Sequence, residues 1–180
     1  MIFREVEDRD LILKARRGDV EPYNLLVSRW EKRIFNYLLR LAGNREDAMD
    51  LSQDVFLKAY QNLKKLDDPD RFGPWLFRIA HNEAYSLLRK PKSGGEPVEP
   101  TPDAPGYGRM LPIETSIAVE RALERLNEDQ REAVLLKVYQ GFRFEEIAEV
   151  LDTPVSTIKS RVYTALELLK EALAPVRSTQ

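Results

Sequence analysis

Hydroxyls and cations collect without a carboxylate among them between positions 156 and 164: Ser156, Thr157, Lys159, Ser160, Arg161, Tyr163 and Thr164. On a helix end, such a set can approach phosphates and base edges in a DNA major groove. A second set mixes rings, amides and cations: Phe72, Trp75, Phe77, Arg78, His81, Asn82, Tyr85, Arg89 and Lys90. That mixture suits unpaired DNA, whose bases stack on rings while cations hold the backbone. Trp75, Phe77 and Ile79 fit a hydrophobic core better than a contact with a base. A third set, Asp47, Asp50, Gln53, Asp54 and Lys58, is mostly acidic. It reads either as a solvated helix face or as a docking surface for a basic partner.

Other chemistry is excluded by what is missing. There is no cysteine and a single histidine, His81, so disulfides, thiolate zinc sites, His-pair metal sites and Cys-His nucleophile pairs cannot be built. Asp47, Asp50 and Asp54 stand at steps of three and four that would suit a magnesium-dependent nuclease, yet no general base or nucleophile accompanies them. No cofactor is expected. A net charge of -2 means that any contact with nucleic acid must come from local patches. The longest purely apolar run, residues 133–136, is too short to cross a bilayer, and a start charged at Arg4 and Glu5 is unlike a signal peptide. A cytoplasmic protein with no membrane insertion is expected.

The elements that must position these residues are helical. With 43% hydrophobic residues the chain is too apolar to be disordered, and its apolar residues recur at steps of three and four. Helices are predicted at 10–17, 22–41, 45–63 and 74–90, then at 117–126, 128–139, 144–151 and 154–173. Asn44 with Asp47 resembles a capping box, and Pro74 suits a first helical turn. Residues 91–112 hold six of the eleven prolines and four of the eight glycines, a composition that cannot sustain a helix or pack a core. The spacing therefore predicts an all-α protein of two small domains, 1–90 and 113–180, joined by a flexible linker at 91–112. Formal charge is +2 in the first domain and -3 in the second.

In the second domain Ile147, Ala148 and Leu151 would bury one face of a short helix. After the turn Asp152-Thr-Pro154, with Thr153 as cap, Val155, Ile158, Val162, Ala165 and Leu169 mark the inner face of the next helix. By spacing alone, a helix-turn-helix and an ordinary antiparallel helix pair remain open.

Three stretches resemble a known family. Ile147-Ala-Glu-Val-Leu-Asp-Thr-Pro-Val-Ser-Thr-Ile-Lys-Ser-Arg161, together with Leu126-Asn-Glu-Asp-Gln-Arg-Glu-Ala-Val-Leu-Leu-Lys-Val upstream, resembles the promoter-reading helix-turn-helix of extracytoplasmic-function (ECF) sigma factors of the sigma-70 family. Asp47-Ala-Met-Asp-Leu-Ser-Gln-Asp-Val-Phe-Leu-Lys-Ala-Tyr-Gln-Asn-Leu63 is similar to that family's polymerase-binding helix, and Phe72-Gly-Pro-Trp-Leu-Phe-Arg-Ile-Ala-His-Asn82 to its promoter-melting segment. The resemblance implies a sigma factor that binds core RNA polymerase and directs promoter recognition, melting and initiation. Asp47, Asp50, Gln53, Asp54 and Leu57 would meet the clamp helices of the beta-prime subunit, and the second domain the beta flap. Asp70, Arg71, Phe72, Arg78, His81, Asn82, Arg89 and Lys90 would contact the minus-ten element, with the loop 67–73 capturing a flipped base. Ser156, Thr157, Lys159, Ser160, Arg161, Tyr163 and Thr164 would contact the minus-thirty-five element. An anti-sigma factor that covers these faces is a further implied partner.

Departures from the family pattern bear on strength. Thr164, Leu166 and Glu167 stand where relatives carry more cations, which predicts weaker and less salt-sensitive duplex binding. Arg143 replaces a capping Ser, His81 a basic residue and Ser86 an acidic one. The competing reading is a stand-alone helix-turn-helix regulator acting as a dimer on a palindrome. It leaves the acidic helix and the melting segment without a role.

Overall fold

The computed structural model describes residues 6–90 and 113–177, and these form two separate compact units, all of whose regular elements are helical. The expected linker at 91–112 lies outside the described residues.

In the first unit, α1 (Asp8–Ala15), α2 (Val20–Ala42), α3 (Arg45–Asn62) and α4 (Phe72–Leu88) are joined by short connections. The long α2 packs on the other three, and α3 packs on α4. Leu26, Ile34, Leu38, Val55, Leu76 and Phe77 are fully buried where these helices meet. Each such side chain contributes roughly 1.5–3 kcal/mol relative to exposure. The boundary between α2 and α3 is chemical. Gly43 adopts φ 75°, closing α2 through its N–H on the Leu39 carbonyl at 2.9 Å, and Asn44 then caps α3 by accepting from the Asp47 N–H at 2.8 Å. Burial of the Tyr23 phenol, which donates to the Phe56 carbonyl, pushes its pKa above the ordinary tyrosine range. The hydroxyl therefore stays a neutral donor that ties α2 to α3.

Helix boundaries in this unit differ from expectation by one or two residues. Helix α1 begins at Asp8, with Glu7 extended at its cap position and Asp8 and Asp10 in the first turn. Helix α4 begins at Phe72 rather than at Pro74, following single 3-10 turns at Leu63–Lys65 and Pro69–Arg71. Pro74 is tolerated there because the first helical N–H groups have no intrahelical acceptor.

The second unit comprises α5 (Ile113–Glu124), α6 (Glu128–Val134), α7 (Phe144–Val150) and α8 (Val155–Arg177). Helix α8 is the spine, packing on α5, α6 and α7. Leu123, Leu126, Val134 and Ala165 form its core, with Val119, Tyr139 and Leu169 against it. The expected 128–139 helix is present in extent, but Leu135–Tyr139 widens into a π-helical stretch before Gly141 at φ 70° ends it.

Helices α7 and α8 form a helix-turn-helix. Ile147 and Val150 of α7 and Ile158 and Val162 of α8 are buried, with Leu151 at 9% exposure; Val150 takes the inner position expected of Ala148, which is half-buried. Thr153 is not the cap: its hydroxyl donates to the Leu151 carbonyl at 3.0 Å, and the first helical bond runs from the Ile158 N–H to the Pro154 carbonyl at 3.1 Å. Asp152, at φ 47°, supplies the left-handed turn residue, a role its short polar side chain tolerates. Arg143 has no acceptor to cap α7. Instead Glu146 reaches back to accept from the Arg143 N–H at 2.8 Å, half of a reciprocal box.

Candidate nucleic-acid and partner interfaces

Helix α3 turns Leu51, Val55, Phe56 and Ala59 inward and leaves Asp50, Gln53, Asp54 and Leu57 exposed, with Leu57 at 56%. Asp47 is half-buried and its carboxylate accepts from the Asn44 side-chain amide at 2.7 Å, so it serves the cap as well as the face. Met49 and Tyr60 are also exposed and follow Gln53 and Leu57 along the same face. The result is an apolar stripe edged by two free-standing carboxylates. Sequence reasoning missed Met49 and Tyr60, although their spacing to Gln53 and Leu57 was the available signal. Lys58 turns away from this face to pair with Glu83 of α4.

The far side of α3 and the outer face of α4 flank an open groove of about 320 Å³ lined by Lys58, Asn62, Lys65, Trp75, Arg78, Ile79, Asn82 and Glu83. Trp75 is half-buried, its ring centroid 5.9 Å from that of Phe72, and serves both core and groove. Arg78 and Asn82 are exposed on α4, Arg89 and Lys90 just past its end, and His81 is half-buried with its ring 4.3 Å from Tyr85. In the loop before α4, Asp68 accepts from the Asp70 N–H at 3.0 Å, Asp70 accepts from Arg9 at 2.9 Å, and Arg71 is half-buried. Phe72 is a correction. At 2% exposure, with its ring edge-on to Trp30 at 5.8 Å, it fills the core and offers no surface to DNA.

On α8, Ser156, Lys159, Ser160, Tyr163 and Thr164 are exposed and Thr157 is half-buried. Arg161 sits on the flank of the helix, paired with Asp129 of α6 at 3.1 Å and with its side chain 26% exposed. Phe144, the first residue of α7, lies between two cations, with Lys137 at 4.5 Å and Lys159 at 5.8 Å from its ring centre, and Tyr163 stacks beside it at 5.9 Å. Neither Phe144 nor Lys137 was singled out from sequence, since nothing in local spacing places them beside the second helix of the motif.

Among the described residues no group of three or more His, Asp or Glu side chains converges to hold a metal ion. No described helix is long and apolar enough to cross a membrane.

The family model for sigma-70 region 2 matches residues 26–93, and that for sigma-70, region 4 matches residues 116–169. The RNA polymerase sigma-H factor of Pseudomonas aeruginosa is 30% identical over 184 residues, covering 94% of this chain and 95% of that protein. The ECF RNA polymerase sigma-E factors of Haemophilus influenzae and Escherichia coli K12 are each 31% identical, covering 96% of this chain and 98% and 97% of theirs. The chain belongs to the ECF sigma factors of the sigma-70 family.

Among solved structures, this sigma factor is similar to CnrH in complex with the cytosolic domain of CnrY, with a TM-score of 0.67 and 25% identity over 96% of this chain and 99% of that one. It is also similar to the sigma factor RpoE of Bartonella quintana, solved with the anti-sigma factor NepR, with a TM-score of 0.65 and 27% identity over 84% of this chain and 96% of that one. The acidic stripe, the groove and α4 all fall within region 2, and the helix-turn-helix within region 4. As an alternative sigma factor it directs promoter-specific transcription initiation.

Proposed function

We propose that the two units divide the promoter between them, with 91–112 as the linker. The α3 face docks on the beta-prime clamp helices of core RNA polymerase: Asp50, Gln53 and Asp54, with Asp47 at the edge, meet basic residues, and Leu57, Met49 and Tyr60 add apolar area. The loop 67–73, through Asp70 and Arg71, and α4, through Arg78, His81, Asn82, Arg89 and Lys90, hold the minus-ten element. The α3/α4 groove is the observation that carries this reading. It offers the Trp75 ring for stacking, the Asn82 amide for a base edge, and Lys65 and Arg78 for phosphates. Capture of unpaired bases shifts the closed-open equilibrium by differential affinity, so the chain performs no covalent step and the polymerase does the chemistry.

In region 4, Ser156, Thr157, Lys159, Ser160, Tyr163 and Thr164 face the minus-thirty-five duplex. Arg161 joins them only by exchanging Asp129 for a phosphate. The same unit meets the beta flap. An anti-sigma factor covers the polymerase- and DNA-binding faces when the protein is idle, a partner supported by the neighbours solved in complex with NepR and with the cytosolic domain of CnrY. The protein acts in the cytoplasm, with the polymerase.

Two substitutions assayed with core polymerase on promoter DNA test this division. Asn82→Ala lowers promoter opening, read by permanganate reactivity, by roughly 10- to 100-fold, the scale of one base contact, and leaves minus-thirty-five duplex binding intact. Lys159→Ala reduces duplex affinity and flattens its salt dependence by about one unit of slope. Unchanged opening with Asn82→Ala contradicts the groove assignment. A dimer that binds a palindrome without polymerase supports the stand-alone regulator instead.

A further inference from the structure

Helix α1 lies upstream of the residues that match region 2, and polar side chains on it and at its C-cap meet the loop leading into α4 at two points and, by way of Trp30 on α2, at a third. At the loop's entry, the Arg16 guanidinium bridges two carbonyls, donating through Nε to Leu63 at 3.2 Å and through Nη2 to Leu66. These carbonyls bound the 3-10 turn that follows α3, where the Leu66 N–H also reaches the Leu63 carbonyl at 3.4 Å. At the tip, Arg9 donates to Asp70 at 2.9 Å and stands 3.9 Å from Asp68. At the exit, Asp8 accepts from the Trp30 indole N–H and from Arg29, both at 2.8 Å, and the Trp30 ring in turn meets buried Phe72 edge-on. Leu11, Ile12 and Ala15 are buried and anchor the helix that carries all three contacts.

We propose that α1 is a brace that fixes the geometry of residues 63–72, and that Arg16 is a positioning residue for the capture of unpaired promoter bases. The inference rests on the assignment of the loop and α4 to the minus-ten element. The weight falls on Arg16. Its two bonds are charge-assisted and partly buried, one to the Leu66 carbonyl and one shared with the Leu66 N–H at the Leu63 carbonyl, whereas the Arg9 pair is about half-exposed and such pairs contribute little on their own. Three fixed points hold the loop in one conformation before DNA arrives, so the entropy of ordering it does not have to be met at the moment of capture. Neither arginine touches the groove. Their effect on opening passes through the loop backbone.

The test uses the full chain with core RNA polymerase and a promoter carrying a fluorescent base analogue in the nontemplate minus-ten strand. Arg16→Met keeps the aliphatic stem and removes both donors. It binds core within about twofold of wild type, lowers open-complex formation roughly tenfold, the scale of one charge-assisted hydrogen bond, and initiates normally on a pre-melted template. Arg16→Lys, with one donor, recovers part of the loss. Arg9→Gln, at a half-exposed site that does not threaten the fold, moves opening in the same direction by about twofold. Asn82→Ala runs in parallel as the measure of the underlying assignment. If Asn82→Ala slows opening and neither arginine variant does, the brace is wrong while the minus-ten assignment stands. If none of the three changes opening, the assignment itself fails and the brace with it. If Arg16→Met loses core affinity and pre-melted initiation in proportion to opening, Arg16 is scaffold only and the proposal is overturned.

Discussion

Region 2 and region 4 present two different kinds of surface. The first is concave: α3 and α4 flank a groove with an indole on its wall, and Lys65 and Arg78 line it. The second is a convex helix bearing hydroxyls and Lys159, with its other candidate cation, Arg161, already paired to Asp129. An unpaired base needs a recess to enter and a ring to stack on. A duplex groove needs only side chains projecting from a helix end. On the division proposed above, the strongest chemistry of this sigma factor serves the melted strand, and region 4 is a weaker, hydroxyl-rich reader. One device is shared. Arg131 donates to the carbonyls of Leu123, Glu124 and Leu126 at 3.1, 3.3 and 3.2 Å, closing α5 as Arg16 closes α3. Arg131 reaches from the adjoining helix, whereas Arg16 reaches across 47 residues of chain, so in region 2 the device also links distant elements.

If the two units fold as separate bodies, damage to one leaves the other standing. Phe77→Ala empties a fully buried site and destabilises region 2 by about 3–5 kcal/mol. Hydrogen exchange is then expected to lose protection across residues 6–90 and keep it across 113–177; loss in both would break the comparison. Tyr23→Phe sharpens it on a smaller scale. Removing the hydroxyl that donates to Phe56 costs region 2 about 1 kcal/mol at neutral pH. Because burial raises this pKa in the folded state, the phenol's contribution is fully present below the unfolded value of about 10 and is lost as pH rises above it. The wild type therefore loses stability above pH ~10 in urea titrations, and Tyr23→Phe loses less. A parallel decline in the two proteins would mean that the phenol is not the group responsible. The smallest effect is a gain. Glu167→Lys adds a cation to the exposed side of α8 and strengthens minus-thirty-five duplex binding a few-fold, with a salt slope steeper by about one to two. No gain would mean that this turn of α8 lies away from the phosphates.

Much of this was legible in the sequence because it depends on neighbours three or four residues apart. The core stripe of α3, the Asn44 cap and the inner face of α8 all follow from local periodicity, and the structure has them. Phe72 was misplaced because an aromatic beside cations looks the same in sequence whether it faces a base or Trp30. The pairing of Arg161 with Asp129 could not be read because the two lie 32 positions apart, and the Thr153 cap failed by one residue because Asp152 turns left-handed before the helix starts. The brace formed by Asp8, Arg9 and Arg16 was invisible for the same reason: every one of its bonds joins α1 to residues at least 21 positions distant. Long-range side-chain pairing is set by the fold and leaves no periodic trace.

The central claim is that the exposed stripe of α3 delivers this chain to RNA polymerase. Size-exclusion co-elution with bacterial core polymerase, comparing wild type with the Asp50→Arg, Asp54→Arg double variant, tests it most directly. Both positions are solvent-exposed, so the variant is expected to keep its fold, checked by an unchanged thermal melt. The account predicts that wild type co-elutes and the double variant does not; co-elution retained by the variant, or absent for well-folded wild type, would contradict it.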